Sequence, residues 1–394
     1  MKTPKDFPPI FNKVYGKKGT LAVYFAPGRV NLIGEHLDYN GGYVLPCALQ
    51  NLGIFLGLQE NHENVFRFSS TSYNDQFEIP FEQLSQAKVD QSWVNYPLGV
   101  IHQFQKEGIE LKGFDLLFSG NIPQGAGLSS SAAIELVTAF ALNELCNAKF
   151  DLLDLVKLSQ QAEQTFVGVN CGIMDQFAVA YGKKDQAILL KCDSLDWKHI
   201  PIHLNGNALV LAHTNYPRKL TDSKYNERRA ECEKAVAILK PTFNIDYLAE
   251  LEIARSQEAL KLIRDETIHK RAKHVFEENH RVMISRVALK NDDLSVFGRL
   301  MNASHYSLSN DYEVTGKHLD ALAHAAQTFN GTLGARMTGA GFGGCTVNLV
   351  KRAELDTFKN LVGQHYTEQT GLEASFYEVE VGDGVRFLEH IQMN

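Results

Sequence analysis

Cysteine is sparse in this chain. Six occur in 394 residues (Cys47, Cys146, Cys171, Cys192, Cys232 and Cys345), widely scattered and never as a CxxC pair. That spacing argues against a zinc site and a disulfide framework, and it is expected of reduced thiols in a cytoplasmic protein. No run approaches eighteen apolar residues, so no transmembrane helix is expected. The opening MKTPKDFPPIFNKVYG lacks the apolar stretch of a secretory signal. Lys/Arg-rich tracts are absent and the net charge is −7, which argues against a general nucleic-acid binder. Nowhere does Gly-Lys-Ser/Thr appear, so there is no Walker A loop. What remains, 44% hydrophobic and 22% charged, is the composition of a soluble globular protein. The length exceeds one ordinary core and predicts two domains.

The richest stretch is Ala26–Leu45, APGRVNLIGEHLDYNGGYVL. It gathers Arg29, Asn31, Glu35, His36, Asp38, Tyr39 and Asn40 around glycines and one proline, a mixture a core does not need. Leu21–Phe25 reads as a strand, which Pro27-Gly28 is expected to break; Gly41-Gly42 marks a second turn before an apolar run resumes. Polar side chains on a short bent segment between two buried ones suit a small polyhydroxy molecule. A solvated surface turn is the plainer alternative.

Short strands are expected at 51–59 and 65–71, and a helix over 93–107 that aligns Tyr96, Val100 and Phe104. A strand at 114–123 runs into QGAGLSSSAAIELVTAFALNEL, residues 124–145. There a Gly/Ser loop enters a helix apolar nearly all round, which predicts burial. Unpaired N–H groups and the positive dipole end of such a helix receive phosphate, and glycine lets the backbone come close. Ser N-caps alone would explain less, because three serines follow one another. In the helix over 151–168, Glu163 falls in the apolar stripe of Leu152, Leu155, Val156 and Phe166. A carboxylate facing a core needs a partner: Mg²⁺ with Ser131 as a second oxygen ligand, or a structural ion pair. Asp175 follows a glycine turn among Ile173, Met174 and Phe177, placed to act as a general base or to cap a helix.

A strand at 187–195 closes the first half, and the strand at 208–214 opens a second. Residues 221–239 read as an amphipathic helix, with Tyr225 either facing a cleft or anchoring a loop. Helices are expected over 268–288, 294–308 and 317–329, and the charge-rich 250–270 reads as a solvated helical face. Residues 335–350, ARMTGAGFGGCTVNLV, contain GxGxxG formally, but a strand follows the loop where a dinucleotide site needs a helix. A glycine loop between strands can still approach a backbone or a phosphate closely. The helix over 353–367 and strand 375–381 complete an α+β half, and no internal repeat is visible.

Taken together, these segments resemble the galactokinases of the GHMP family of small-molecule kinases. Residues 28–46 resemble the galactokinase signature, 123–133 the family's ATP loop, and 337–345 its third glycine motif. CGIMDQ (171–176) and SKYNERR (223–229) extend the match over nearly the whole chain. The resemblance implies an α+β fold of two domains, residues 1–204 and 205–394. The first is expected to resemble the second domain of a ribosomal small-subunit protein, the second to be ferredoxin-like. It also implies phosphorylation of α-D-galactose at the C1 hydroxyl by ATP with Mg²⁺. Gly125, Ala126, Gly127, Leu128, Ser129, Ser130 and Ser131 become the phosphate cradle, Ser69 a nucleotide-site serine, and Ser131 with Glu163 the Mg²⁺ ligands. Asp175 becomes the catalytic aspartate, as a base or as an orienting group, with Arg29 beside it. Glu35, His36, Leu37, Asp38, Gly172, Asp175 and Tyr225 become sugar contacts. Leu37 stands where most galactokinases carry Thr, which puts tolerance at the sugar's C2 in question and keeps an N-acetylgalactosamine kinase as the alternative. A non-catalytic galactose sensor is the other, although the Ser129–Ala133 run it would have lost in part is intact. A monomer acting on galactose and ATP, without nucleic acid or membrane, is expected.

Overall fold

The computed structural model describes residues 3–16, 18–84, 88–90, 92–217 and 221–393. The chain begins with helix α1 (Phe7–Tyr15) and the long strand β1 (Gly19–Asn31). The signature loop and a short strand β2 (Tyr43–Val44) lead into β3 (Pro46–Glu60), then β4 (Val65–Ser70), β5 (Phe77–Pro80), α2 (Asn95–Lys106) and β6 (Phe114–Gly120). Three helices follow, α3 (Ser130–Leu145), α4 (Leu152–Ala162) and α5 (Met174–Tyr181), then strands β7 (Gln186–Lys191) and β8 (Trp197–Pro201). The second half runs β9 (Asn207–His213), α6 (Thr221–Phe243), α7 (Ser256–Leu260), α8 (Glu266–Lys290), α9 (Leu294–Asn310), α10 (Gly316–Thr328), β10 (Thr332–Thr338), β11 (Cys345–Lys351), α11 (Leu355–Thr370), β12 (Ser375–Val379) and β13 (Arg386–Met393).

A six-stranded sheet in the order β13-β1-β3-β6-β4-β5 forms the first half, beside a small sheet β2-β7-β8. The β4–β6 pair is parallel, and the excursion through β5 and α2 provides the crossover that parallel pairing needs. The second half is an antiparallel sheet, β10-β11-β9-β12, with α10 and α11 packed together beside it. That strand order and the βαββαβ succession are ferredoxin-like, and the α+β class expected from the sequence holds. One apolar core runs through both halves, from Tyr24 and Leu56 in the first sheet to Leu209 and Met337 in the second.

Two local expectations change. Pro27-Gly28 does not end the first strand: β1 pairs with β3 as far as Asn31, with a register shift between Pro27 and Arg29. The partner β13 stops pairing at Phe25, so Pro27 lies where no ladder bond is asked of it on that side. The charge-rich 250–270 is not one helical face but a string of short turns, α7 and the first turn of α8. The expected division at residues 204 and 205 falls in the turn between β8 and β9. The last strand departs from it, because β13 returns to pair with β1 in the first sheet.

Candidate active site

Helix α3 is the axis of the site, and it is buried because its sequence gives it no polar face. It starts at Ser129, whose backbone is left-handed (φ 58°), and its first N–H groups lack intrahelical partners. The loop before it meets the two other glycine segments. A Cβ at Gly28 would stand 2.9 Å from the Leu128 carbonyl, to which Arg29 N–H donates at 3.1 Å. A Cβ at Gly339 would stand 2.9 Å from the Gly127 carbonyl, and Arg29 Nη1 donates to that same oxygen at 2.7 Å. The third glycine motif thus serves a close approach of backbones.

Arg29 also grips Asp175 with both arms, Nε to Oδ1 at 2.7 Å and Nη2 to Oδ2 at 2.8 Å. Ser129 Oγ donates to Asp175 Oδ2 at 2.5 Å instead of capping its own helix. Asp175, in the first turn of α5, is therefore held by three donors and caps nothing. Two cavities meet here. The smaller, about 190 Å³, is lined by Arg29, Glu35, His36, Asp38, Gly172, Asp175 and Tyr225, and also by Asn226 and Ala340. The larger, about 650 Å³, is lined by Ser70, Lys88, Trp93, Gln124, Ser130 and Ser131. Gly168 and Val169 border both.

The signature loop is tied to the protein before any ligand arrives. Glu35, buried, accepts from Asn31 Nδ2 (2.9 Å), Thr338 Oγ1 (3.0 Å) and Gly339 N–H (2.7 Å), with Arg336 3.3 Å away. Gly34 N–H donates to Glu278 Oε1 at 2.9 Å, and His274 contacts the Glu35 carbonyl at 3.2 Å. Gly172 must be glycine, since a Cβ would lie 2.0 Å from Asp38 Oδ2. Burial, then the charges of Asp175 and Glu35, push the Asp38 carboxyl up to about 7. Burial, then His274, push His36 down to about 3, so its ring is neutral.

Glu163 sits where α4 loosens into a π turn, Glu163–Val167, that ends at Gly168. It is buried and hydrogen-bonded to Ser131, Cys171 and Gln176, the last at 2.7 Å. No cation of the described residues pairs with it, so the structural ion pair is not what occupies this position. Burial and the neighbouring Asp175 push its carboxyl well above the ordinary range. A buried carboxylate short of a cation, on the wall of the smaller cavity and bonded to a serine of the larger, fits Mg²⁺. That ion takes few protein ligands and completes its shell with water and phosphate.

Two residues expected at the site are elsewhere. Ser69 is buried on β4 but faces away from the larger cavity; Ser70, one residue on and so on the opposite face, lines it. Leu37 is fully buried in the apolar core and lines neither cavity, as its side chain would have it. Within the loop, Ala126 and Leu128 send their side chains into the core, Gly125 and Gly127 take left-handed backbones, and Ser130 and Ser131 line the cavity. The sequence reading passed over Glu135 and Gln176. Gln176 Nε2 bridges Glu135 Oε2 (3.0 Å) and Glu163 Oε2 (2.7 Å). Glu135 was detectable by the argument used for Glu163, a carboxylate in an otherwise apolar helix.

Family models match three parts of the chain: the galactokinase galactose-binding signature at residues 10–54, the GHMP kinases N-terminal domain at 95–183 and the GHMP kinases C-terminal domain at 285–367. A galactokinase of Fusobacterium nucleatum is 49% identical over 95% of this chain and 97% of its own length. One of Bacillus subtilis is 47% identical over 96% and 98%. The crystal structure of Lactococcus lactis galactokinase complexed with galactose superposes with a TM-score of 0.95 at 41% identity, covering 98% of this chain and 99% of that one. A mevalonate kinase of Methanococcus jannaschii, at 19% identity and a TM-score of 0.64 over 94% and 100%, shares the fold. By sequence over nearly its full length and by fold, this chain belongs to the galactokinases of the GHMP kinase family.

Proposed function

We infer that the chain transfers the γ-phosphoryl group of ATP to the C1 hydroxyl of α-D-galactose, giving galactose 1-phosphate and ADP. The observation that carries this is Asp175, on the wall of the smaller cavity, held by Arg29 and by Ser129 of the loop whose next serines line the larger. The smaller cavity, rich in acceptors, suits a monosaccharide. The larger, at the exposed start of a buried helix, suits a nucleotide's phosphates. The likeness to a galactokinase complexed with galactose supports the same assignment.

In this reading the C1 hydroxyl lies against Asp175, which orients it and takes its proton as the oxygen bonds to the γ-phosphorus and the bond to ADP breaks. Arg29 keeps the carboxylate in place, and its own charge offsets that developing on the transferred group. Backbone N–H groups at the start of α3 bind the phosphates, with Ser130 and Ser131 beside them. Glu163 and Ser131 would hold Mg²⁺, which would supply charge neutralisation to the phosphates. Asp38, Glu35, His36 and Tyr225 accept from or donate to the sugar hydroxyls. Because Leu37 is packed in the core, it gives no reason to expect an opened C2 pocket. One chain lines the whole site, so a monomer suffices. We place the protein in the cytoplasm with its nucleotide, in keeping with its unpaired cysteines. Among the described residues, no helix is long and apolar enough to cross a membrane.

The test is Mg·ATP-dependent ADP release with galactose, N-acetylgalactosamine, glucose and 2-deoxygalactose in parallel. The highest kcat/KM is expected for galactose, with 2-deoxygalactose tolerated. A preference for the N-acetyl sugar would reassign the substrate, and binding of galactose with no ADP released from any sugar would make the protein a sensor.

A further inference from the structure

Behind the smaller cavity lies a buried hydrogen-bond chain that joins three distant segments. His36 Nδ1 is 2.8 Å from the Tyr39 hydroxyl, which is 2.8 Å from the Tyr312 hydroxyl, which is 3.1 Å from Cys232 Sγ. Tyr312 follows α9 and Cys232 lies on α6, so the chain ties the signature loop to two elements of the second half. The rings are packed as well, His36 against Tyr312 at 4.9 Å and Tyr39 against Tyr225 at 5.2 Å. His36 holds a left-handed backbone, φ 63°, and Asn40 Nδ2 donates to its carbonyl at 2.8 Å. A strained residue fixed at both backbone and ring is a positioned one.

The chain has a direction. Burial keeps both phenols protonated and holds the Cys232 thiol up at about 11, so each carries one proton to give. The neutral His36 ring has one N–H and one bare nitrogen. If protons point toward the ring, the last hydroxyl donates to an imidazole nitrogen, the strongest neutral acceptor present. If they point away, the last hydroxyl must donate to a thiol sulfur, a weak acceptor. The first arrangement is favoured, and it leaves the proton on Nε2. That atom is buried in a ring that lines the cavity, beside the Ala340 carbonyl of the same wall, with which a sugar hydroxyl would share the proton.

Such a donor adds to the Tyr225 hydroxyl and the Asn226 amide, which also line the cavity. Glu35, Asp38 and Asp175 offer oxygens, while Arg29 spends Nε and Nη2 on Asp175 and an Nη1 proton on the Gly127 carbonyl. A buried sugar hydroxyl must accept as well as donate, and one left without a donor loses binding.

We propose that Tyr39 and Tyr312, backed by Cys232, are positioning residues that hold His36 as the Nε2–H tautomer, making it a hydrogen-bond donor to a sugar hydroxyl. This rests on reading the smaller cavity as the sugar site. Long-range ¹H–¹⁵N spectra of histidine-labelled full-length protein, with the His36 signals identified by their loss in His36→Ala, report the tautomer directly. A protonated Nε2 and a bare Nδ1 are expected in the wild type. In Tyr39→Phe the two tautomers should mix, and galactose affinity should fall about tenfold with Mg·ATP affinity unchanged. At saturating galactose its kcat should stay within about threefold of wild type. Tyr312→Phe, which keeps both rings, should shift the same readouts in the same direction by less. A wild-type Nδ1–H tautomer, or wild-type galactose affinity in Tyr39→Phe while His36→Ala binds weakly, overturns the proposal. If His36→Ala itself binds galactose normally, the reading of the cavity as the sugar site fails instead.

Discussion

The two cavities are built by opposite means. On the small side two carboxylates and the signature loop already have protein partners: Glu35 accepts from three donors, Asp175 from three, and Gly34 N–H donates to Glu278. On the large side the start of α3 leaves backbone donors unspent, and Ser131 there bonds Glu163, a carboxyl at the border of the two cavities that lacks a cation. The first is a rigid mould that a ligand fits, the second an electrostatic socket that a charged ligand completes. Preorganisation lowers the cost of ordering groups on binding and favours discrimination among similar sugars. Unsatisfied donors favour strong binding of an anion that nearly any nucleotide supplies.

Substitutions break this contrast in graded ways. The largest effect is expected at the carboxylate beside the reacting hydroxyl: Asp175→Asn should lower kcat by about 10³-fold, with galactose binding kept within about tenfold. Steady-state kinetics paired with calorimetric galactose titration checks both halves of that statement. Next, Glu163→Gln removes charge at the border of the two sides, where its carboxyl lines the smaller cavity and bonds Ser131 of the larger. It should cost about 10²-fold in kcat and raise the Mg²⁺ concentration needed for half-maximal rate, with galactose affinity intact. Gly172→Ala strikes only the mould, because its Cβ would displace the whole Asp38 side chain. The galactose KM should rise more than about tenfold while the ATP KM moves less than about threefold.

Glu278→Gln loosens the mould's mooring. Burial pushes Glu278 up, but Arg281, His274 and Arg336 outweigh it and hold it at about 2, below its ordinary 4.5. A lowered carboxyl stabilises the fold above pH 4.5, and that contribution is lost as pH falls toward 2. The shift corresponds to about 3 kcal/mol. Urea unfolding at pH 7 should show the variant less stable by that order, with the gap narrowing below pH 4.5. Smallest is the serine pair: Ser70→Ala should raise the ATP KM by about threefold and Ser69→Ala should leave it unchanged, which kinetics at varied ATP resolves.

Sequence revealed the mould better than the socket. Arg29, Glu35 and Asp38 stood out because polar residues crowded on a bent segment have no structural use there. Glu163 stood out because helical spacing puts it in an apolar stripe. Both are local patterns. Ser69 against Ser70 is a difference of one residue, and only the register of β4 against β6 says which face looks into the cleft. Leu37 followed the signature by position, whereas its side chain obeys the core. The return of β13 to β1 pairs residues more than 360 apart in sequence, beyond any local pattern. The Tyr39–Tyr312–Cys232 chain likewise joins segments that only the folded core brings together.

The most direct test of the contrast is calorimetric titration of galactose into the nucleotide-free protein, repeated with a non-hydrolysable ATP analogue and Mg²⁺. A mould formed in advance predicts one galactose per chain without nucleotide, at an affinity that changes less than about threefold when the socket is filled. No binding until the nucleotide is present would mean that the sugar side is assembled by its neighbour, and the account would be wrong.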